Sequence, residues 1–266
     1  MTVGGCHQQS DPAPANVHPT IVSLNPCSDA VLAEVAAPGQ VVAISHYSQD
    51  PASSSMDLEK AAQFRTVSGS AEEVLALRPD LVVADQFLAP ATRSALERAG
   101  MEVVTVPIAR NVEESRAQVL DLARLTGDEN PGILLNARID AALARAAAPR
   151  GNAPIPAVVW QAGGIVPGRD TLVADLLART GFMLASAAQG MGQADHLPLE
   201  ALVADPPDVL FIAADTRAQE NRALTHPALD ALAGTRRADL DPSLLWCGGP
   251  TIVRAVERLA QVRKSL

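Results

Sequence analysis

Aromatic side chains are scarce in this sequence: two Trp, one Tyr and four Phe make up 3% of 266 residues. With so few large flat rings to place, the positions they occupy carry information. Basic residues are also in deficit, 21 Lys and Arg against 30 Asp and Glu, giving a formal net charge of -9 and a pI near 5.0. That balance argues against a nucleic-acid partner, because phosphate binding needs a basic face. No run of about 18 apolar residues occurs, so no spanning helix is expected. The three cysteines, Cys6, Cys27 and Cys247, show no Cys-x-x-Cys spacing, so a structural zinc is not expected. No Gly-x-Gly-x-x-Gly follows a strand, no phosphate loop is present, and no Gly-x-Ser-x-Gly elbow occurs. The five His are scattered without a pair at helical i, i+4 spacing. No catalytic residue and no metal site are therefore assigned.

What is present is a passage written twice. Glu72-Glu-Val-Leu-Ala-Leu-Arg-Pro-Asp-Leu-Val-Val-Ala84 aligns with Glu200-Ala-Leu-Val-Ala-Asp-Pro-Pro-Asp-Val-Leu-Phe-Ile212. Glu72 falls on Glu200, Val74 on Leu202, Pro79 on Pro207 and Asp80 on Asp208. Each copy reads as an acidic residue opening a short helix, a Pro-Asp stop, then an apolar run. Ser68-Gly69-Ser70 reads as the turn that caps the first copy. Two copies half a chain apart imply two similar lobes with a cleft between them, and a hydrophobic fraction of 48% supplies material for two cores.

The rest of the chain alternates in the same grammar. Apolar runs at 20–24, 41–44, 81–84, 103–106, 157–160 and 209–213 read as buried strands, separated by short helical patterns at 30–36, 58–64, 92–99, 171–180, 227–233 and 252–262. Ser28 or Asp29 is the expected cap of the first helix. Continuous apolar strands alternating with helices indicate a parallel sheet covered on both faces, so the expected class is α/β with two Rossmann-like lobes. Residues 112–147 read as helix apart from an interruption at 127–132. The Ala-rich second half serves as the connector. The expected organisation is a tether at 1–19, an N-terminal lobe at 20–127, a connector helix at 128–150 and a C-terminal lobe at 151–266. Val3-Gly4-Gly5-Cys6 looks like a bacterial lipobox with Cys6 as the lipidated residue, or is a chance match, since no basic and apolar regions stand before it in this sequence.

Tyr47, Phe87, Trp160 and Trp246 all fall at or just past predicted C-terminal strand ends, the edge where open parallel sheets bind ligands. Flat apolar rings there suit a bulky, partly apolar ligand, with a few polar groups fixing its orientation. The alternative for Phe87 and Trp160 is that they finish the two cores. Gln161 is a candidate polar contact. Arg169 is the evident cation of the second-lobe loop, for an anionic ligand or for a surface ion pair. His46 and His196 sit in predicted loops and join the candidate ligand contacts; neither is read as catalytic.

These residues together carry a resemblance. Ile21-Val-Ser-Leu-Asn-Pro-Cys27, His46-Tyr-Ser-Gln-Asp-Pro51, the Glu-x-x-Leu-x-Leu-x-Pro-Asp-Leu-Val phrase at 72–82, Gly164-x-x-x-Gly168-x-x-Thr171-Leu172, Leu199-Glu200-x-Leu202 and Leu245-Trp-Cys-Gly-Gly-Pro250 resemble the periplasmic substrate-binding proteins that serve ABC importers of ferric siderophores, haem and cobalamin. The resemblance runs from about residue 20 to the end. It implies two lobes joined by one long helix, a metal chelate held between them that brings its own metal, no further cofactor, and a monomer that delivers its ligand to a permease dimer with its ATPase. It places the protein in the periplasm, with a lipid anchor if Cys6 is modified. Glu72 and Glu200 look like the family positions that dock onto permease arginines; helix capping is the compatible plainer role. The chain departs from cobalamin members in its few pocket aromatics and from anionic-siderophore members in lacking a cluster of pocket Arg, so the ligand stays open. Cys27 and Cys247 fall in predicted cleft loops, one per lobe. They read first as buried small hydrophobes, with mutual pairing or contact with a soft metal centre as alternatives. A tethered sensing module and an enzyme of nitrogenase-like architecture are the rival functions.

Overall fold

The computed structural model describes residues 18–213, 226–232 and 234–266. Cys6 and residues 1–17 of the tether expected over 1–19 lie outside them, as does Ala233 at the end of the helix expected over 227–233. The first lobe is built from β1 (Ile21–Ser23), α1 (Pro26–Val35), β2 (Val41–Ser45), α2 (Leu58–Ala61), β3 (Thr66–Val67), α3 (Ala71–Leu77), β4 (Leu81–Asp85), α4 (Pro90–Arg98) and β5 (Glu102–Val106). Two helices follow, α5 (Val112–Leu125) and α6 (Asn130–Ala146). The second lobe contains β6 (Ile155–Gln161), β7 (Ile165–Val166), α7 (Leu172–Arg179), β8 (Phe182–Leu184), α8 (Ala185–Ala188), β9 (Asp195–His196), α9 (Leu199–Ala204), β10 (Val209–Ala213), β11 (Arg236–Asp239) and α10 (Thr251–Lys264).

Among the described residues the two main sheets are ordered β3-β2-β1-β4-β5 and β11-β10-β6-β8, beside a small antiparallel pair, β7-β9. Every neighbouring pair in both main sheets is parallel. The orders β2-β1-β4-β5 and β8-β6-β10-β11 are the same topology, with α3–β4 and α9–β10 in the same slot. The repeated phrase in the sequence is therefore a repeated structural unit. Its first copy shows how it is made. Ser70 Oγ accepts from the Glu73 amide, and the Glu73 carboxylate reaches back to Ser68 N and Oγ at 2.6 and 2.7 Å, a reciprocal capping arrangement. Arg78 ends the helix in the left-handed region at φ 47. Asp80 then accepts from Thr20 N and Oγ1, both at 2.7 Å, tying the head of β4 to that of β1.

Strand alternation distributes the core. Ile21, Leu81 and Val83 face one layer while Val22 and Val82 face the other; likewise Ala157 and Val159 oppose Val158 and Trp160. The inner layer is not two cores, as composition suggested, but one. Ile21 and Val83 of the first sheet share a continuous cluster with Val159 and Phe211 of the second, through α1, α5, α6 and α10. Smaller outer clusters lie under α3–α4 and under α9. Helix α6 runs 17 residues, about 25 Å at the usual rise. It buries Leu135, Ile139, Ala142 and Ala146, small enough on one side for close approach of its neighbours.

Sequence expectation and structure differ at the start of α1. Asn25, not Ser28 or Asp29, caps it: Asn25 Oδ1 accepts from Cys27 N at 2.7 Å and Ser28 N at 3.3 Å, with Pro26 in the first turn. Asp29 is instead fully buried.

Candidate ligand cleft

Because all strands of each sheet run parallel, their C-terminal ends share one edge, and chain order reverses beside β1 in one sheet and β6 in the other. Ligands of open α/β sheets bind at such a switch point. The two edges face a cavity of about 430 Å³ lined by Ile108, Arg110, Gln161, Ile165, Asp170 and Trp246, among others. The first lobe contributes the loop after β5; the second contributes the end of β6, the entry to α7 and the segment before α10. Its walls are apolar with a few polar groups, the usual composition of a small-molecule site. Trp246 is 39% exposed here. Below it a narrower space of about 60 Å³ runs between Asn25, Cys27, Ser28, Gln118 and Gly249. Arg110 in the cleft wall is engaged by Glu114, Nη2 to Oε1 at 2.8 Å, and this hydrogen-bonded ion pair holds the Glu114 carboxyl below its usual range.

The candidate residues take four different places. Trp246 and Gln161 line the cleft. Tyr47 and Phe87 follow β2 and β4 on the same sheet edge and stand 51% and 71% exposed, outside the cavity wall. The His46 ring lies against Tyr47, centroids 4.0 Å apart, with Nδ1 3.3 Å from the Val67 carbonyl. His196 is exposed on β9, paired with Ile165 of β7. Arg169 faces a different groove on the flank of the second lobe, of about 810 Å³, where Nη2 donates to the Ala187 carbonyl at 3.3 Å.

Two expectations are corrected. Trp160 is not a cleft residue: it is 1% exposed, packed with Val166, Leu197, Leu202 and Leu210 in the outer cluster of the second lobe. Strand alternation explains it, since on β6 Trp160 faces the outer layer and the next residue, Gln161, reaches the cleft. Cys27 and Cys247 are not free thiols and offer no thiolate to a metal. They form a disulfide, Cα atoms 5.1 Å apart, across 220 residues of sequence. On chain-entropy grounds a closed loop of that length is worth about 5 kcal/mol against the unfolded chain. Cys27 still borders the narrow space beneath Trp246.

Ile108, Arg110, Asp170 and Thr171 were missed by sequence reading. A signal is there, because Pro107–Arg110 directly follow β5 at the ligand-binding edge, but the segment carries no aromatic ring to mark it.

Glu72 and Glu200 sit in the first turns of α3 and α9, the equivalent helices of the two lobes, and both are exposed. Neither carboxylate makes a hydrogen bond or ion pair among the described residues.

Asp29 lies behind the turn that carries His46 and Tyr47. Its Oδ2 accepts from Ser45 N at 2.9 Å and Ser48 Oγ at 2.6 Å. Burial pushes its carboxyl up to about 7, against the pull of these hydrogen bonds.

Residues 21–244 match the family described as periplasmic binding protein, and the chain belongs to that family. Solved structures of like fold include the periplasmic haem-binding protein HutB of Vibrio cholerae, 17% identical, covering 92% of this chain and 99% of that one with a TM-score of 0.76. A periplasmic haem-binding protein from Pseudomonas aeruginosa is 23% identical over 92% of each chain, TM-score 0.72. The vitamin B12-binding protein BtuF of Vibrio cholerae is 18% identical over 93% and 97%, TM-score 0.70. A search of curated proteins found no significant match.

Proposed function

We propose that this chain is the substrate-binding component of an ABC importer that captures a metal chelate, a ferric siderophore, haem or cobalamin, between its lobes. It delivers the chelate to a permease dimer driven by its ATPase. The observation that carries the reading is the cleft itself, set at the facing C-terminal edges of two topologically equivalent sheets and walled by Trp246, Ile108, Ile165 and Gln161. The chelate brings its own metal, so the protein needs no resident cofactor and performs no catalytic step. Ligand binding biases the lobes only by its differential affinity for one arrangement. Glu72 and Glu200, on equivalent outer helices, present one carboxylate per lobe to the two halves of the permease, steering encounter and fixing orientation. Haem-binding and B12-binding proteins among the structural neighbours support the ligand class. The disulfide supports an oxidising compartment, and lipidation at Cys6 would hold the monomer at the membrane.

The test is titration of the full chain with cobalamin, haem and several ferric siderophores, followed by quenching of tryptophan fluorescence. Saturable quenching by one of them at a Kd of about 1 µM or tighter is the expected result. Silence from all of them removes the proposal.

A further inference from the structure

We infer that the Trp246–Pro250 segment, pinned by the Cys27–Cys247 disulfide, is a wedge that sets the spacing of the two lobes and holds the Trp246 indole in the cleft. The inference rests on the cleft being the ligand site. The segment leaves the second lobe after the 3-10 turn at Pro242–Leu244 and drives between helices of the first before entering α10. Its three central residues are fixed against α1, α5 and α7. Cys247 is buried and bonded to Cys27 in the first turn of α1. Gly248 sits where a Cβ would lie 2.3 Å from Ser115 Oγ on α5 and 3.6 Å from Leu172 on α7. Gly249 holds φ at +58, where a Cβ would lie 2.6 Å from Val31 of α1, and its amide donates to Ser115 Oγ at 2.8 Å. Only paired glycines pass through this gap, and the passage brings α1, α5 and α7 onto one strand of chain.

Trp246 is the residue just before this fixed point, and its ring borders both the cleft and the narrower space beneath it. That space, of about 60 Å³, is room into which the indole can tilt once its neighbour is released. The Cys27 Sγ lies 3.5 Å from the Trp246 carbonyl, so the tryptophan backbone rests in contact with the cystine that fixes residue 247. The bond therefore acts on ligand binding through Trp246. Cys27 and Cys247 are positioning residues, and pre-organisation is the means by which they raise affinity.

The test compares the native full chain, the C27A/C247A variant, and native protein reduced with a water-soluble phosphine and then reoxidised. All three are prepared in a W160F background so that Trp246 alone reports. The first readout needs no ligand: acrylamide quenching and the emission maximum of Trp246. Loss of the bond is expected to raise the quenching constant and shift the emission, with far-UV circular dichroism unchanged and the effect undone by reoxidation. The second readout is affinity for whichever of cobalamin, haem or a ferric siderophore the native protein binds, expected to fall about tenfold. Identical emission, quenching and affinity without the bond overturn the inference. So does loss of the folded signal on reduction, in both the variant and the reduced protein, because the bond would then be a general staple. If the native protein binds no chelate, the proposed function falls, and the ligand-free Trp246 readout alone decides the wedge.

Discussion

Ser55 Oγ donates to the Ser243 carbonyl at 2.6 Å, joining positions 188 residues apart on opposite lobes. The Ser55 carbonyl in turn accepts from Thr251 Oγ1 at 3.4 Å and from the Arg254 guanidinium. One buried residue of the loop before α2 is thus a peg in the second lobe. Ser55→Ala leaves the Ser243 carbonyl without that donor, at a cost of about 1–3 kcal/mol. A fall in Tm of about 2–4 °C per kcal/mol is expected for a chain of this size, read by thermal denaturation. An unchanged Tm would mean that the contact does not hold the lobes.

The docking carboxylates separate binding from delivery. Glu72→Arg with Glu200→Arg reverses one charge on each lobe, on exposed helix ends away from the cleft. Chelate affinity should stay within about twofold of the native value, since surface changes distant from a site are close to neutral. Uptake by cells carrying the matching permease should be lost, and each single reversal should be intermediate. Normal uptake by the double variant would remove the docking role.

The two tryptophans should part company under substitution. Trp160→Phe removes an indole N–H that is buried without a partner among the described residues, so the smaller ring is expected to cost under about 1.5 kcal/mol and to leave chelate affinity alone. Trp246→Phe should abolish most of the ligand-induced quenching. If Trp160→Phe weakens binding and Trp246→Phe does not, the cleft has been assigned to the wrong edge.

This contrast marks where the sequence was legible. The repeat at 72–84 and 200–212 foretold the shared α3–β4 and α9–β10 unit, because a helix cap, a Pro-Asp stop and an apolar run are local signals. The Ala-rich pattern was equally readable as helix, and α6 (Asn130–Ala146) stands there. Strands β8 and β11 were not. Each is three or four residues long, at an edge of the second sheet, and Arg236-Arg-Ala-Asp carries none of the apolar signal of a central strand. The side of a strand that Trp160 faces depends on a register that composition does not reveal. Pairing of Cys27 with Cys247 depends on the first turn of α1 meeting the loop before α10, 220 residues away.

Asp29 makes stability depend on pH in an unusual direction. Its carboxyl titrates near 7 in the fold against an unperturbed 3.8, because burial penalises the charged form. The folded state therefore holds this proton more tightly than the unfolded chain. The contribution is complete below about 3.8, declines as pH rises, and is gone once pH passes about 7; its full size is about 4 kcal/mol. Glu34, Asp50, Glu73, Asp80, Glu113 and Glu114 are all shifted the other way and favour the fold until acid protonates them. Opposed slopes place the stability maximum in mildly acidic solution, near pH 5, with a decline towards pH 8. Asp29→Asn keeps an acceptor for Ser45 N and Ser48 Oγ but cannot ionise. Its Tm should be nearly flat from pH 5 to pH 8 while the native protein's falls. Parallel profiles for the two proteins would show that Asp29 is charged in the fold despite its burial.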